Sequence, residues 1–197
     1  MSKVFKIILY VLISICVGTV LLIYFSPYGY SKTLNKKVII ETVEIDAPIN
    51  DVYVYLGNSY NAKVWSVFVD HITPLNGKEF KDGKKGSIRR CFKNKNETGI
   101  FWDEKILIEK PNKKRQLNIY NIHGFSISGN GLLTEQLYET KNGKTELSFV
   151  LYLDKKESSW IKELKLYIAA YKVSKIFRGN IEKVKSILEH KNNKSTI

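Results

Sequence analysis

The residues that could do chemistry gather on the strand-like stretch Thr98 to Glu109. Residues two apart in a strand share a face, so Glu104 falls in line with Ile100, Trp102, Ile106 and Ile108. A carboxylate on an apolar face has a raised pKa unless a cation pairs with it. Three roles are open to it: a buried ion pair, contact with a polar group of a ligand, or general acid/base work. Arg90 is the cation on offer, because Ile88, Arg90 and Phe92 form a similar apolar face with one charge. Trp65, Trp102, Tyr120 and Phe125 are aromatic candidates for a pocket lining, with plain core packing as the competing role.

Other constellations fall short. Asp70-His71 is half a triad, but no Gly-x-Ser-x-Gly accompanies it and adjacent strand residues face opposite ways. Gly83 and Gly86 are not followed by Gly-Lys-Ser/Thr, so they make no phosphate loop. His71, His123 and His190 lack zinc-site spacing, and no metal or other cofactor is expected. Cys16 lies in an apolar run and Cys91 in a strand, so no disulfide framework is read.

The elements that must position these residues follow from the hydrophobic periods. Strands are expected over Lys37–Asp46, Val69–Leu75, Ser87–Asn94, Thr98–Glu109, Arg115–Ile122, Leu132–Tyr138 and Thr145–Asp154. Two short helices fall between the first and second strands, around Asn50–Leu56 and Asn61–Phe68. Asn142-Gly143 is a strong hairpin signal, and His123–Gly131 is glycine-rich and ambiguous. Glu157–Glu189 has no proline and carries apolar residues at helical steps.

That last helix carries two stripes. Trp160, Ile161, Leu164, Tyr167, Ile168 and Tyr171 cluster on one side, and Leu166, Ala170, Val173, Phe177, Ile181, Val184 and Leu188 lie roughly 200° away. A straight helix cannot bury both against one sheet. Either it breaks near Tyr171–Ser174, or its first half is apolar on two sides, with loops, the short helices or a membrane surface covering the extra stripe. Tyr167 and Tyr171 join the pocket candidates as residues of a mouth or lid.

Ile7 to Phe25 is an uncharged run of 19 residues. As a helix it reaches roughly 28 Å, about the hydrocarbon thickness of a bilayer. A cleavable signal peptide would have a shorter apolar core and a small-x-small site after it. The expectation is a single-span anchor through residues 7–25, with Ser26–Asn35 as a short polar tether. Lys3 and Lys6 flank one side, and Lys32, Lys36 and Lys37 the other, which leaves the side of the domain open. The net charge of +13 comes from a lysine-rich background with few arginines. No dense basic cluster extends beyond Lys113-Lys114-Arg115, so nucleic acid is not an expected partner.

The order of elements and several short motifs resemble the START/birch-allergen-like superfamily, also called SRPBCC, and its bacterial polyketide cyclase/dehydrase-type members. The matching pieces are Ile45-Asp46-Ala47-Pro48 with Val52 and Tyr53; Trp65-Ser66; Gly83 and Gly86; Trp102-Asp103-Glu104; Glu109-Lys110-Pro111; Gly143-x-Thr145-x-Leu147; and Ile187-Leu188-Glu189. Asn58 departs from the pattern, standing where Asp is common. The resemblance implies an α+β helix-grip fold, with an antiparallel curved sheet of about seven strands around the long C-terminal helix. It implies a cavity for a hydrophobic or amphipathic small molecule and no universal catalytic residues. The domain division expected is anchor and flanks over 1–30, tether over 31–36, helix-grip domain over 37–190 and a disordered tail over 191–197. The function expected is membrane-anchored binding of a lipid or other hydrophobic small molecule. The alternatives are a cyclase, hydratase or isomerase using Glu104, and a partner-binding domain without a cavity. Oligomeric state is not read from the sequence.

Overall fold

The computed structural model describes residues 2–125 and 131–195. Helix α1 spans Lys3–Tyr24, and the Ser2 hydroxyl caps it by accepting from the Phe5 amide. It is long and apolar enough to cross a membrane, and none of it is buried in the protein. The chain then makes β1 (Gly29–Ser31), β2 (Lys36–Ile45), α2 (Ile49–Gly57), α3 (Ala62–Trp65), β3 (His71–Pro74), β4 (Ile88–Phe92), β5 (Phe101–Lys110), β6 (Lys114–His123), β7 (Leu132–Lys141), β8 (Lys144–Leu153) and α4 (Trp160–Ser195). All strand pairs are antiparallel, in the order β1-β2-β8-β7-β6-β5-β4-β3.

The short helices carry the chain from β2, near one end of the sheet, to β3 at the other. Asn142 and Gly143 both adopt positive φ, the type I′ geometry that a two-residue hairpin requires. Gly83 is needed as glycine twice over. Its φ is +76°, and a Cβ there would stand 2.3 Å from the Gly57 carbonyl oxygen.

One face of the sheet holds α4. Ile45, Leu56, Trp65, Leu147 and Phe149 pack with Ile181, Val184 and Leu188, while Ile39, Leu132 and Leu151 pack with Leu166 and Ala170. Burying one such aliphatic side chain stabilises the fold by about 1.5–3 kcal/mol, so this seam fixes the helix on the sheet. The residues alternate with Val38, Leu133, Val150 and Tyr152, which form a separate cluster on the opposite face.

Three expectations change. The sheet has eight strands instead of about seven, because the tether folds back. Gly29–Ser31 pairs with Lys36–Val38, and Tyr28 is buried edge-on against Tyr167 at 5.1 Å. Helix α4 does not break near Tyr171–Ser174 and runs unbroken from Trp160 to Ser195. The tether covers part of the first stripe, which removes the reason for a break. Residues 191–195 of the expected disordered tail continue α4, and 196–197 lie outside the described residues. Of the ambiguous glycine-rich stretch, 126–130 lies outside them too.

Candidate ligand-binding site

Between the sheet and α4 lies a cavity of about 220 Å³. A single water needs ~10–15 Å³, so the space is far larger than a packing defect. Strands β4 to β8 supply inward side chains including Cys91, Trp102, Leu117, Ile119 and Phe149. Helix α4 supplies Ala169, Lys172, Val173, Ile176, Phe177 and Asn180. The segment after α3 adds Phe68 and Val69. Phe68, Trp102 and Phe125 form a three-ring cluster with centroids 5.8–6.1 Å apart. Lys172 is the exposed residue of the lining, and its Nζ lies 5.7 Å from the Phe68 centroid, which marks the open side.

The wall is apolar except for Lys172 at the opening, a few uncharged polar side chains and one buried ion pair. Arg89 and Glu104 are directly opposite in the β4–β5 register, and both are buried. Arg89 Nε donates to Glu104 Oε2 at 2.8 Å, and Trp102 Nε1 donates to Oε1 at 2.9 Å, so both carboxylate oxygens are engaged. Burial alone would push the Arg89 guanidinium down, but the charge of Glu104 outweighs it and holds the pKa above its ordinary value. The Cys91 thiol is pushed well up, first by burial and then by the Glu104 charge, so it stays protonated and unreactive.

A second buried arginine braces this end. Arg115 donates to the Gly83 carbonyl, to Gln136 Oε1 and Tyr138 Oη at 3.1 Å each, and to the Tyr53 carbonyl. Its guanidinium stacks 3.9 Å from the Tyr53 ring centroid. Tyr53 is pushed up to about 12 by burial and by its hydrogen bond to Glu109. Gln136 Oε1 also accepts from Tyr138 Oη, and Asn180 Oδ1 accepts from the Val67 amide. Both residues line the cavity, and their amide nitrogens have no partner among the described residues. The Trp65 indole nitrogen is also buried without one. Among the described residues, no group of three or more His, Cys, Asp and Glu is placed to hold a metal ion.

Of the residues singled out from the sequence, Trp65, Trp102, Glu104 and Phe125 line the cavity. Arg90, Tyr120, Tyr167 and Tyr171 do not. Arg90 lies one register step from the expected position and pairs with Asp103 on the outer face, Nε to Oδ1 at 2.7 Å. The apolar flanks Ile88 and Phe92 belong to that outer face, where Phe92 stacks against His71 and packs against Phe101. The partner of Glu104 is therefore Arg89. Tyr120 faces outward because it pairs with Asp103, and the β-bulge at Asn121, with φ of +48°, returns Ile122 to the cavity. Tyr167 is taken up by Tyr28, and the Tyr171 hydroxyl donates to the Phe25 carbonyl at 2.8 Å. Alternation from Leu117 and Ile119 was the available signal that Tyr120 points out. For Arg89 the signal was Cys91 two residues on, the most apolar inward position of β4.

His71 bridges Asp70 and Glu97 on the outer side of the sheet, outside the cavity lining.

No family model matches the sequence, and no curated protein does either. Solved structures match across most of the chain. A protein from Nitrosospira multiformis is similar at a TM-score of 0.60 and 8% identity, over 79% of this chain and 99% of that one. StfQ, a di-domain ARO/CYC protein from the steffimycin biosynthetic pathway, is similar at 0.58 and 9%, over 79% and 51%. DynU16, a protein of the dynemicin biosynthetic locus, is similar at 0.55 and 10%, over 77% and 47%. The chain thus spans about half the length of StfQ and DynU16. Identities this low speak to the fold, and the fold is that of the START/birch-allergen-like proteins, an α+β helix grip.

Proposed function

We propose that this chain is a membrane-anchored binding protein that holds a lipid or another hydrophobic small molecule between its sheet and α4. Residues 7–25 form the anchor and residues 37–190 the binding domain. The observation that carries the reading is an open cavity walled by aromatic and aliphatic side chains, whose buried charges, Arg89 and Glu104, are paired with each other. An acid/base enzyme needs a carboxylate free to exchange its proton with a substrate. Glu104 instead has Arg89 on one oxygen and Trp102 on the other, which suits a fixed wall. The Trp65 indole nitrogen and the amide nitrogens of Gln136 and Asn180 have no partner among the described residues, so the fitting ligand carries an acceptor oxygen on an otherwise apolar body.

A cavity-filling variant tests the reading. Val173 lines the cavity from α4, and Val173→Trp puts an indole into the space. The full chain in mild detergent should bind a polarity-sensitive apolar dye with enhanced emission, and the variant should lose that binding while unfolding at a similar temperature. Equal dye binding by both proteins contradicts a ligand site at this position.

A further inference from the structure

We propose that the first half of α4 lies on the surface of the bilayer that α1 enters, so that the cavity opens at the lipid surface. The inference rests on the anchor reading above and goes beyond it by fixing how the domain is held.

The observation is an apolar strip left largely exposed by the described residues. Trp160 is 75% exposed, Ile168 60%, Tyr171 49% and Ile161 48%. At ~100° per residue these side chains fall within about a third of the helix circumference. Aqueous exposure of four such residues on three turns marks an interaction surface. An indole and a tyrosine beside aliphatic side chains is the composition that bilayer interfaces favour.

The occupant follows from where α1 ends. The Phe25 carbonyl accepts from the Tyr171 hydroxyl, and the Ser26 hydroxyl donates to the Tyr167 carbonyl. Tyr24, the last residue of α1, is thus one residue from a contact on α4. A residue spans at most ~3.6 Å, so the chain has no slack to carry this face away from the membrane. Buried Tyr28 and the β1–β2 pairing then lock the connection. Lys175 is set among the strip's residues and Lys165 and Lys172 along its edge, and lysines suit an anionic headgroup layer. Ala169, Lys172 and Val173 line the cavity on the same turns that expose Ile168 and Tyr171. A molecule leaving the bilayer could therefore enter the cavity without crossing bulk water.

The test uses the full chain reconstituted into phosphatidylcholine/phosphatidylglycerol vesicles with brominated acyl chains. Trp160 emission is taken as the difference between the wild type and Trp160→Phe. It should be blue-shifted, quenched by the bromines and protected from aqueous acrylamide, and Ile168→Asp should weaken that quenching. Alkaline carbonate flotation of the same vesicles reads the anchor separately. A chain that floats while Trp160 stays open to acrylamide and unquenched by bromine overturns the docking and leaves the anchor intact. A chain stripped by carbonate overturns the anchor and the docking with it. Trp160 shielded from both quenchers means that protein, a second copy or another partner, covers the strip, and the bilayer contact is wrong.

Discussion

Two arginine–carboxylate pairs sit side by side across β4 and β5, one register step apart, and they end in different surroundings. Arg89 and Glu104 face the cavity, with side chains 6% and 11% exposed. Arg90 and Asp103 face outward, where the arginine side chain is 30% exposed while Asp103 beneath it is only 5% exposed. Alternation alone separates them. Both members of the inner pair are buried, so each depends on the other for charge compensation. The outer pair shares a cross-strand cluster with Asn121 and the Phe101 ring, and its partly exposed Arg90 can turn to water. An arginine–carboxylate pair thus makes a fixed polar patch in a ligand wall on one face and a brace with a partly exposed arginine on the other.

Breaking the inner pair should have the larger effect. Glu104→Gln leaves a buried guanidinium without its counter-charge, which costs about 3–5 kcal/mol. Denaturant unfolding of the full chain in detergent reads this directly. Replacing both members, Arg89→Met with Glu104→Leu, should recover most of the loss, since a buried pair is worth little more than apolar packing. A Glu104→Gln protein as stable as the wild type contradicts the interdependence.

Asp103→Asn should cost less, about 1.5–3 kcal/mol at neutral pH, as loss of a charge-assisted hydrogen bond does, because Arg90 can turn to water. Its cost should also depend on pH. Burial pushes Asp103 up, but hydrogen bonds from Arg90 and Asn121 outweigh it and hold its pKa below the ordinary carboxylate value. A group depressed in the folded state stabilises fully above its unfolded pKa of about 4, and that stabilisation is lost as pH falls through the folded value. The stability gap between wild type and Asp103→Asn should therefore narrow on acidification from neutral to below about pH 4. A gap constant across that range contradicts the outer pairing.

The contrast also explains what the sequence could and could not tell. Long periodic elements were legible: the β2-to-α4 order, the hairpin at Asn142-Gly143 and the apolar N-terminal helix. The inner face of β5 was legible too, because Trp102, Glu104 and Ile106 alternate with Asp103 and Lys105. The inner face of β4 was not. Both faces of that strand are largely covered, so Ile88 and Phe92 mimic a core face while the true one carries Arg89. Hydrophobic period cannot rank two covered faces. The tether was missed for a different reason. Gly29–Ser31 is too short to show a period, and its pairing with β2 depends on Tyr28 finding Tyr167 far along the chain.

The central claim is that the cavity holds a hydrophobic molecule, and native mass spectrometry of the detergent-extracted full chain tests it most directly. The wild type should carry one releasable apolar small molecule bearing at least one oxygen, identified after its release, and Val173→Trp should carry none. Bare protein from several independent wild-type preparations, or the same bound molecule on both proteins, would contradict the claim.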